Sequence, residues 1–412
     1  MTNPVTGIRP AVVIMNMHYS GLGIARSLAE CTDEIHGLSF DDDFFGNYSR
    51  HCTFHRFPDS ATAPDACKTF LLEFAERFAK KPLLLATRDH DINLILKFRT
   101  ELGGRYILPY ATDDVLAVVM NKTRLFEVAR EVSIYCPQDA PIKSLGELQH
   151  CRDRLDFPAI VKPVAASQWR KDPVWDLVEK RKAQIFNNFQ SLHDFYRKLH
   201  RYDPVITVQE YIPGPDTNLV IFGSYHNPQS DLTRYFTCRK LLQYPAHCGT
   251  GVALEASPIP EIVDISRKLL HRLNYYGVSE IEYKYDAQRD RYALIEINPR
   301  HWDQHALGTA SGVNLSRAMY QDLTGQPVDP QTQTPKPVKW IADDNFLLSF
   351  TSNLRSRAYP LSRYRRAVTG TKMFAVLSLS DKRPALHLYR NVLVHYWRYL
   401  CSFAGRRLRP RG

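Results

Sequence analysis

The chain has 412 residues, 44% hydrophobic and 24% charged, a balance that excludes wholesale disorder and leaves room for two or three domains with sizeable cores. Its 54 basic and 43 acidic residues give a net charge of +11, which suits anionic ligands (a nucleotide, a phosphorylated substrate, an acidic membrane surface) without choosing among them. No RNA-binding, zinc-finger or basic-zipper pattern occurs, so nucleic acid is not an expected partner. Eight scattered cysteines with no CxxC pair argue against a metal or redox framework. The first ten residues carry no charged segment leading into a long apolar run, and no stretch is apolar enough to span a bilayer, so a cytoplasmic location is expected.

Ala11 to Met17 is a short apolar run rich in β-branched residues and reads as a buried strand. His18-Tyr19-Ser20-Gly21-Leu22-Gly23 follows and reads as a tight turn before a helical stretch, IARSLAE. Strand, glycine turn and helix together open a Rossmann-like unit, although GLG lacks the full dinucleotide spacing. Pro82 to Thr87 reads as a second buried strand and Asp91 to Leu102 as a helix, so residues 1–115 form a small α/β domain. Asp113 to Val132 is helical by its apolar spacing. Asp156 to Pro163 is a strand ending at Lys162, and residues 167–184, with two tryptophans and no glycine, read as a loop or lid.

Ile206 to Tyr211 is a strand closed by Pro213-Gly214-Pro215, followed by strands over Asn218 to Tyr225 and Arg234 to Leu241 and a helix over Glu261 to Leu273. Ser279 to Tyr285 and Tyr292 to Asn298, joined by Ala-Gln-Arg-Asp, form a β-hairpin. Pro327 to Pro337 is a proline-rich connector to a basic, aromatic tail. In that tail Leu386, Tyr389, Leu393, Tyr396, Leu400 and Phe403 recur at helical spacing beside Arg390 and Arg398. Such a helix packs on the core or lies on an anionic membrane surface.

The hairpin carries the most chemistry. Side chains alternate along a strand, so Glu296 and Asn298 share a face with Cα atoms about 7 Å apart. Their oxygens can converge on one small cation, and Glu282 on the neighbouring strand can add a carboxylate from the same side. Magnesium favours such oxygens together with phosphate oxygens. Arg300 stands just past the strand end, where a positive charge can hold a transferring phosphoryl group. Lys162 at a strand end and Lys122 at a helix start are natural phosphate contacts. Gln209, Glu210, Tyr211 and Ile212 form a strand-to-turn hinge whose backbone groups can pair with an adenine edge. His301, Trp302, Asp303 and His305 adjoin the hairpin and either shape a substrate pocket or pack and cap a helix start.

In order and register, GLGIARSLAE, NYSRHC with Ser49 and Arg50, MNKTRLFEVARE, FPAIVKP, VQEYIPGPD, GVSEIEYKYD and IEINPRHWDQHALGTASGVNL resemble the ATP-grasp family over residues 11–325. Within it they look like the D-aspartate ligase-like branch of carboxylate–amine ligases. The resemblance implies a mixed α/β and α+β fold: a Rossmann-like pre-ATP-grasp domain (1–115), a first ATP-grasp lobe (116–205), a second lobe with the metal site (206–326) and a C-terminal extension (327–412). It implies ATP and Mg2+ (or Mn2+) as cofactors, a small carboxylate and an amine acceptor as substrates, and allows a homodimer and a peripheral contact with the inner face of the membrane. It matches Lys122 and Lys162 to ATP-phosphate lysines, Gln209 to Ile212 to the adenine hinge, and Asp216 to a ribose-binding acid. Glu282, Glu296 and Asn298 match metal ligands, and Arg300, Arg239 and Lys240 match the cations of the phosphate and acyl-phosphate region.

Two departures stand out. Asp216 replaces the usual glutamate, and the loop after Lys162 has no glycines, so Lys182 or the Trp169 and Trp175 region is expected to cover the nucleotide. The activity implied is formation of an amide bond through an acyl phosphate. The alternatives are an ATP-grasp carboxylase, a phosphoryl-transfer enzyme with another acceptor, or a non-catalytic ATP-binding regulatory protein.

Overall fold

The computed structural model describes residues 9–163, 166–169, 172–181, 183–247 and 249–394; the expectations for Lys182 and for the tail beyond 394 lie outside them. The first sheet is parallel, in the order β3-β2-β1-β4, from β1 (Val12–Met15), β2 (Ile35–Ser39), β3 (Thr53–Arg56) and β4 (Leu83–Leu85). β1 lies between two strands and is buried along its whole length, which is why it reads VVIM without alternation.

The glycines after β1 do not form the expected turn. The chain turns at Asn16, in the left-handed region at φ 69°, and Gly21 and Gly23 lie inside the helix Tyr19–Leu28. They are needed for close approach. A Cβ on Gly21 would stand 2.3 Å from the Asn16 carbonyl oxygen, and one on Gly23 would stand 2.8 Å from Cε1 of His305. The helix is thereby drawn against the segment that follows the hairpin.

Both long helices expected next are broken. Asp89–Lys97 and Arg99–Arg105 meet at Phe98. Asp113–Val119 ends before Asn121, whose side chain accepts from the Arg124 N–H and starts a new helix, Lys122–Glu131. An asparagine cap needs non-helical backbone at its own position, so it both interrupts the run and puts Lys122 on the first turn.

The second sheet is antiparallel, in the order β5-β8-β6-β7, from β5 (Asp139–Ile142), β6 (Ala159–Pro163), β7 (Gln184–Phe186) and β8 (Ile206–Glu210). Ala159, Val161, Ile206 and Val208 pack with Leu192, Tyr196 and Leu199 of the helix Phe189–Leu199. Trp169 belongs to this core. It is fully buried, and its indole N–H donates to Asp203 at 3.0 Å. Trp169 therefore does not cover a ligand, and Trp175 packs against the same cluster. The missing glycines reflect a segment that folds into the lobe: Trp169 ends one helical turn, Ala166–Trp169, and Trp175 lies in another, Val174–Leu177.

The third sheet has seven strands in the order β13-β12-β9-β10-β11-β14-β15. They are β9 (Leu219–His226), β10 (Leu232–Tyr244), β11 (Thr250–Ala256), β12 (Gly277–Asp286), β13 (Arg291–Asn298), β14 (Val338–Ile341) and β15 (Lys372–Phe374). Val220, Phe222, Ile281, Tyr283 and Leu294 face the helix Pro260–Arg272 through Ile262, Leu269 and Leu270. β14 and β15 follow the proline-rich connector, so the C-terminal extension continues this sheet. It is also tied to the first sheet. Asp381 is buried and accepts from Arg26 Nε at 3.0 Å, Ser49 Oγ at 2.8 Å and the Arg50 N–H at 3.0 Å. The serine and arginine of NYSRHC are thus met by the extension.

Candidate functional site

β12 and β13 pair antiparallel with Glu280 opposite Asn298 and Glu282 opposite Glu296. Directly opposed residues share a face, so three carboxylates and one amide crowd one side of the hairpin. A register shift follows the Glu282–Glu296 pair and twists the rest of the hairpin relative to this quartet. The Asn298 side-chain amide donates to Glu280 at 2.8 Å. Burial, followed by the nearby Glu282 charge, pushes the Glu280 carboxyl up to about 8.

Cations close over this face from several elements. Lys122, from the first turn of its helix, donates to Glu296 at 2.8 Å. The Lys122 charge holds the Glu296 carboxyl far below the usual range. Lys240, on β10, pairs with Glu282. Burial alone would pull the Lys240 ammonium down, but Glu282 and Glu280 outweigh it and raise its pKa. Arg300 donates to Asn298 at 3.3 Å and to Asp89 at 2.7 Å. Lys162, on β6, donates to Gln209 of β8 at 3.2 Å, and its charge reaches Glu296. The second sheet thus turns its lysine toward the carboxylates of the third.

Among the described residues no group of three or more His, Cys, Asp or Glu side chains is gathered closely enough to hold a metal alone, and Glu296 and Glu282 are instead paired with Lys122 and Lys240. The donor set still fits magnesium or manganese, which take a few protein oxygens and complete their shell with water and phosphate. A divalent charge here would offset the Glu282 charge that, after burial, raises the Glu280 carboxyl.

A family model described as the carbamoyl-phosphate synthase L chain, ATP binding domain, matches residues 252–329, which include the whole hairpin. A D-aspartate ligase of Enterococcus faecium (strain Aus0004) is 24% identical over 97% of this chain and 99% of its own length. A D-alanine–D-alanine ligase of Pseudomonas putida (strain GB-1) is 24% identical over 46% of this chain, and the match spans 58% of that relative. Among solved structures, an ADP complex of N5-carboxyaminoimidazole ribonucleotide synthetase superposes with a TM-score of 0.63 at 12% identity, over 84% of this chain and 86% of that one. The chain has the fold of that synthetase and is similar in sequence to a ligase along nearly its whole length.

Not every residue expected of an ATP-grasp site joins the cluster. Arg239 and Lys240 are neighbours on β10, so they face opposite ways. Lys240 takes the carboxylate side, whereas Arg239, in register with Val220 and Glu255, leaves by the other face; the pair does not act together. Asp216 is buried and already engaged. Its carboxylate meets His247 Nδ1 at 3.2 Å and accepts from the Tyr359 hydroxyl. The hydrogen bonds from His247 and Tyr359 outweigh burial and lower its pKa to about 2. An acid consumed in this way does not stand open to a ribose, and its shorter side chain suits that internal contact.

The hinge residues lie at the end of β8, with their side chains occupied elsewhere. Glu210 pairs with Arg289 at 2.9 Å, Tyr211 lies under the Lys284 ammonium at 4.5 Å, and Ile212 is buried. The N–H of Tyr211 donates to Pro158, and among the described residues the N–H of Ile212 makes no backbone hydrogen bond. His301 and His305 are buried packing groups rather than pocket walls. His301 contacts Ser316 Oγ at 3.0 Å, and His305 contacts the Trp302 carbonyl at 2.7 Å. Burial holds both imidazoles neutral, His305 down to about 4. Trp302 stacks on Phe236 and lies over Gly223, and Asp303 accepts from Ser20 at 2.9 Å. Sequence reasoning missed Glu280 and Asp89. Glu280 was findable by the alternation that gave Glu296 and Asn298; nothing local marks Asp89 as the partner of Arg300.

Proposed function

We propose that the chain is an ATP-dependent carboxylate–amine ligase, which forms an amide bond through an acyl phosphate and releases ADP and phosphate. The observation that carries this reading is the quartet Glu280, Glu282, Glu296 and Asn298, ringed by Lys122, Lys240 and Arg300 and faced by Lys162. The reaction gathers several anions in one place, and that arrangement supplies the cations and oxygen ligands it needs.

A carboxylate is a poor acyl donor, because its leaving group would be oxide. Its oxygen attacks the γ-phosphorus of ATP, the bond to the β-phosphate oxygen breaks, and ADP leaves. A neutral amine then attacks the acyl carbon, and phosphate departs. Lys122 and Lys162 are the phosphate contacts in this proposal, the hinge from Gln209 to Ile212 receives the adenine, and Arg300 stabilises the charge on the transferring group. Glu282, Glu296 and Asn298 would hold the metal, whose charge would offset that of the ATP phosphates. Among the described residues the account asks for no protein nucleophile. The alignment with a D-aspartate ligase along nearly all of both chains supports an amino acid as the carboxylate. The proposed setting is the cytoplasm, with the C-terminal extension contacting the inner face of the membrane.

The test is a matrix of amino acids and amines, with bicarbonate as a further acceptor, read by ADP release. Release that requires a carboxylate and an amine together is the expected result. Release with bicarbonate and no amine would make the protein a carboxylase. ATP binding without turnover in any combination would make it a silent binder.

A further inference from the structure

The exposed apolar side chains of this molecule are concentrated in one region. Of the fifteen large hydrophobics that stand exposed among the described residues, eleven lie between Leu347 and Val394. Several are held together around one hub. Asp343, at the start of the helix Asp343–Ser356, accepts from the backbone N–H groups of Val376 and Leu377 and from the Tyr389 hydroxyl. Leu347 lies one turn along on the Asp343 side of that helix. Leu386 and Leu393 flank Tyr389 at helical spacing on the run 383–394. Leu347, Leu377, Leu386, Tyr389 and Leu393 are thus exposed on the elements gathered around this hub, with Leu386 and Leu393 each 68% exposed. A concentration of this kind is uncommon on a surface that meets only water.

Along the segment that carries these side chains the charge is mainly of one sign, although Asp43, 79% exposed, stands 3.8 Å from His387. Residues 343–394 hold nine Lys and Arg against three Asp, and all three aspartates turn inward. Asp343 is the hub, Asp344 takes the Tyr19 hydroxyl, and Asp381 is buried against Arg26 and Ser49. Arg355, Arg357, Arg365, Lys382, Arg383 and Arg390 are exposed. Among the described residues no helix is long and apolar enough to cross a membrane. Exposed leucines with an aromatic, on a segment whose own outward charges are all cations, match the two forces that bind a protein to an anionic interface.

We infer that this face, formed by the helix Asp343–Ser356 and the run 383–394, docks on an anionic lipid bilayer, with Leu347, Leu386 and Leu393 entering the headgroup boundary. It deepens the membrane contact proposed above and is independent of the ligase chemistry. The face belongs to the folded body through Asp343, Tyr389 and Asp381, so the bound molecule is held in a fixed orientation.

The test is sedimentation of the full chain with vesicles of pure phosphatidylglycerol and of pure phosphatidylcholine. Binding to the anionic vesicles alone, weakening as salt rises, is expected. Leu386→Ser with Leu393→Ser should lower the partition coefficient about tenfold or more at an unchanged melting temperature. Arg383→Gln with Arg390→Gln should weaken binding and flatten the salt dependence. Wild-type protein that stays in the supernatant with phosphatidylglycerol would overturn the proposal, as would undiminished binding of the double leucine variant. A dimer in sedimentation velocity that the same leucine substitutions dissociate, without vesicle binding, would give the face to a second copy of the chain and also overturn it.

Discussion

Glu296→Gln is expected to slow ADP formation by about 100-fold or more, about 2.7 kcal/mol of barrier, while the protein stays folded. The substitution keeps the shape and removes the charge. Glu296 lies beside Asn298 at the end of β13, it is the partner of Lys122, and the Lys122 charge keeps it ionised far below neutral pH. The amide would offer a metal a weaker ligand and leave Lys122 without its counter-charge. The cost to the fold should be small. The two side chains are 35% and 40% exposed, and a pair that open to solvent contributes at most about 1 kcal/mol. Turnover near the wild-type rate, at an unchanged melting temperature, would remove Glu296 from the metal site.

Trp169→Ala should destabilise the protein by about 3–5 kcal/mol, the usual cost of emptying a large aromatic site in a core. A second loss adds to the cavity. Asp203 is itself buried, and burial already raises its carboxyl pKa against the opposing Trp169 N–H. Without that donor the acid has lost one of its partners in a dry setting. Trp169→Phe restores part of the packing without the donor and should cost clearly less. Urea unfolding gives both numbers. If Trp169 covered the nucleotide instead, the alanine variant would keep its stability and lose ATP affinity.

What the sequence makes legible here is what short-range geometry governs. Alternation along β13 marks Glu296 and Asn298 without reference to any other segment, and the hairpin turn sets Glu282 opposite Glu296. The same period of two should have added Glu280 and divided Arg239 from Lys240, since both follow from counting along one strand. Other features depend on distant partners. Asp216 matches a ribose-binding acid until Tyr359, 143 residues further on, donates to it. Trp169 matches a lid until Asp203 and the helix Phe189–Leu199 enclose it. Gly21 and Gly23 suggest a turn, but Gly21 answers to the nearby Asn16 carbonyl and Gly23 to His305, far along the chain. The long helix over Asp113 to Val132 breaks because one asparagine serves better as a cap than in a helix interior, and that break is what delivers Lys122 to Glu296.

The proposal as a whole rests on an acyl phosphate, and isotope transfer tests it most directly. The carboxylate substrate is labelled with oxygen-18 in its carboxyl group, and the products of a turnover with ATP and the amine are separated. The account predicts one labelled oxygen in inorganic phosphate, ADP as the nucleotide product, and one label retained in the amide. Label in AMP beside unlabelled pyrophosphate would mean an adenylate and would contradict the account.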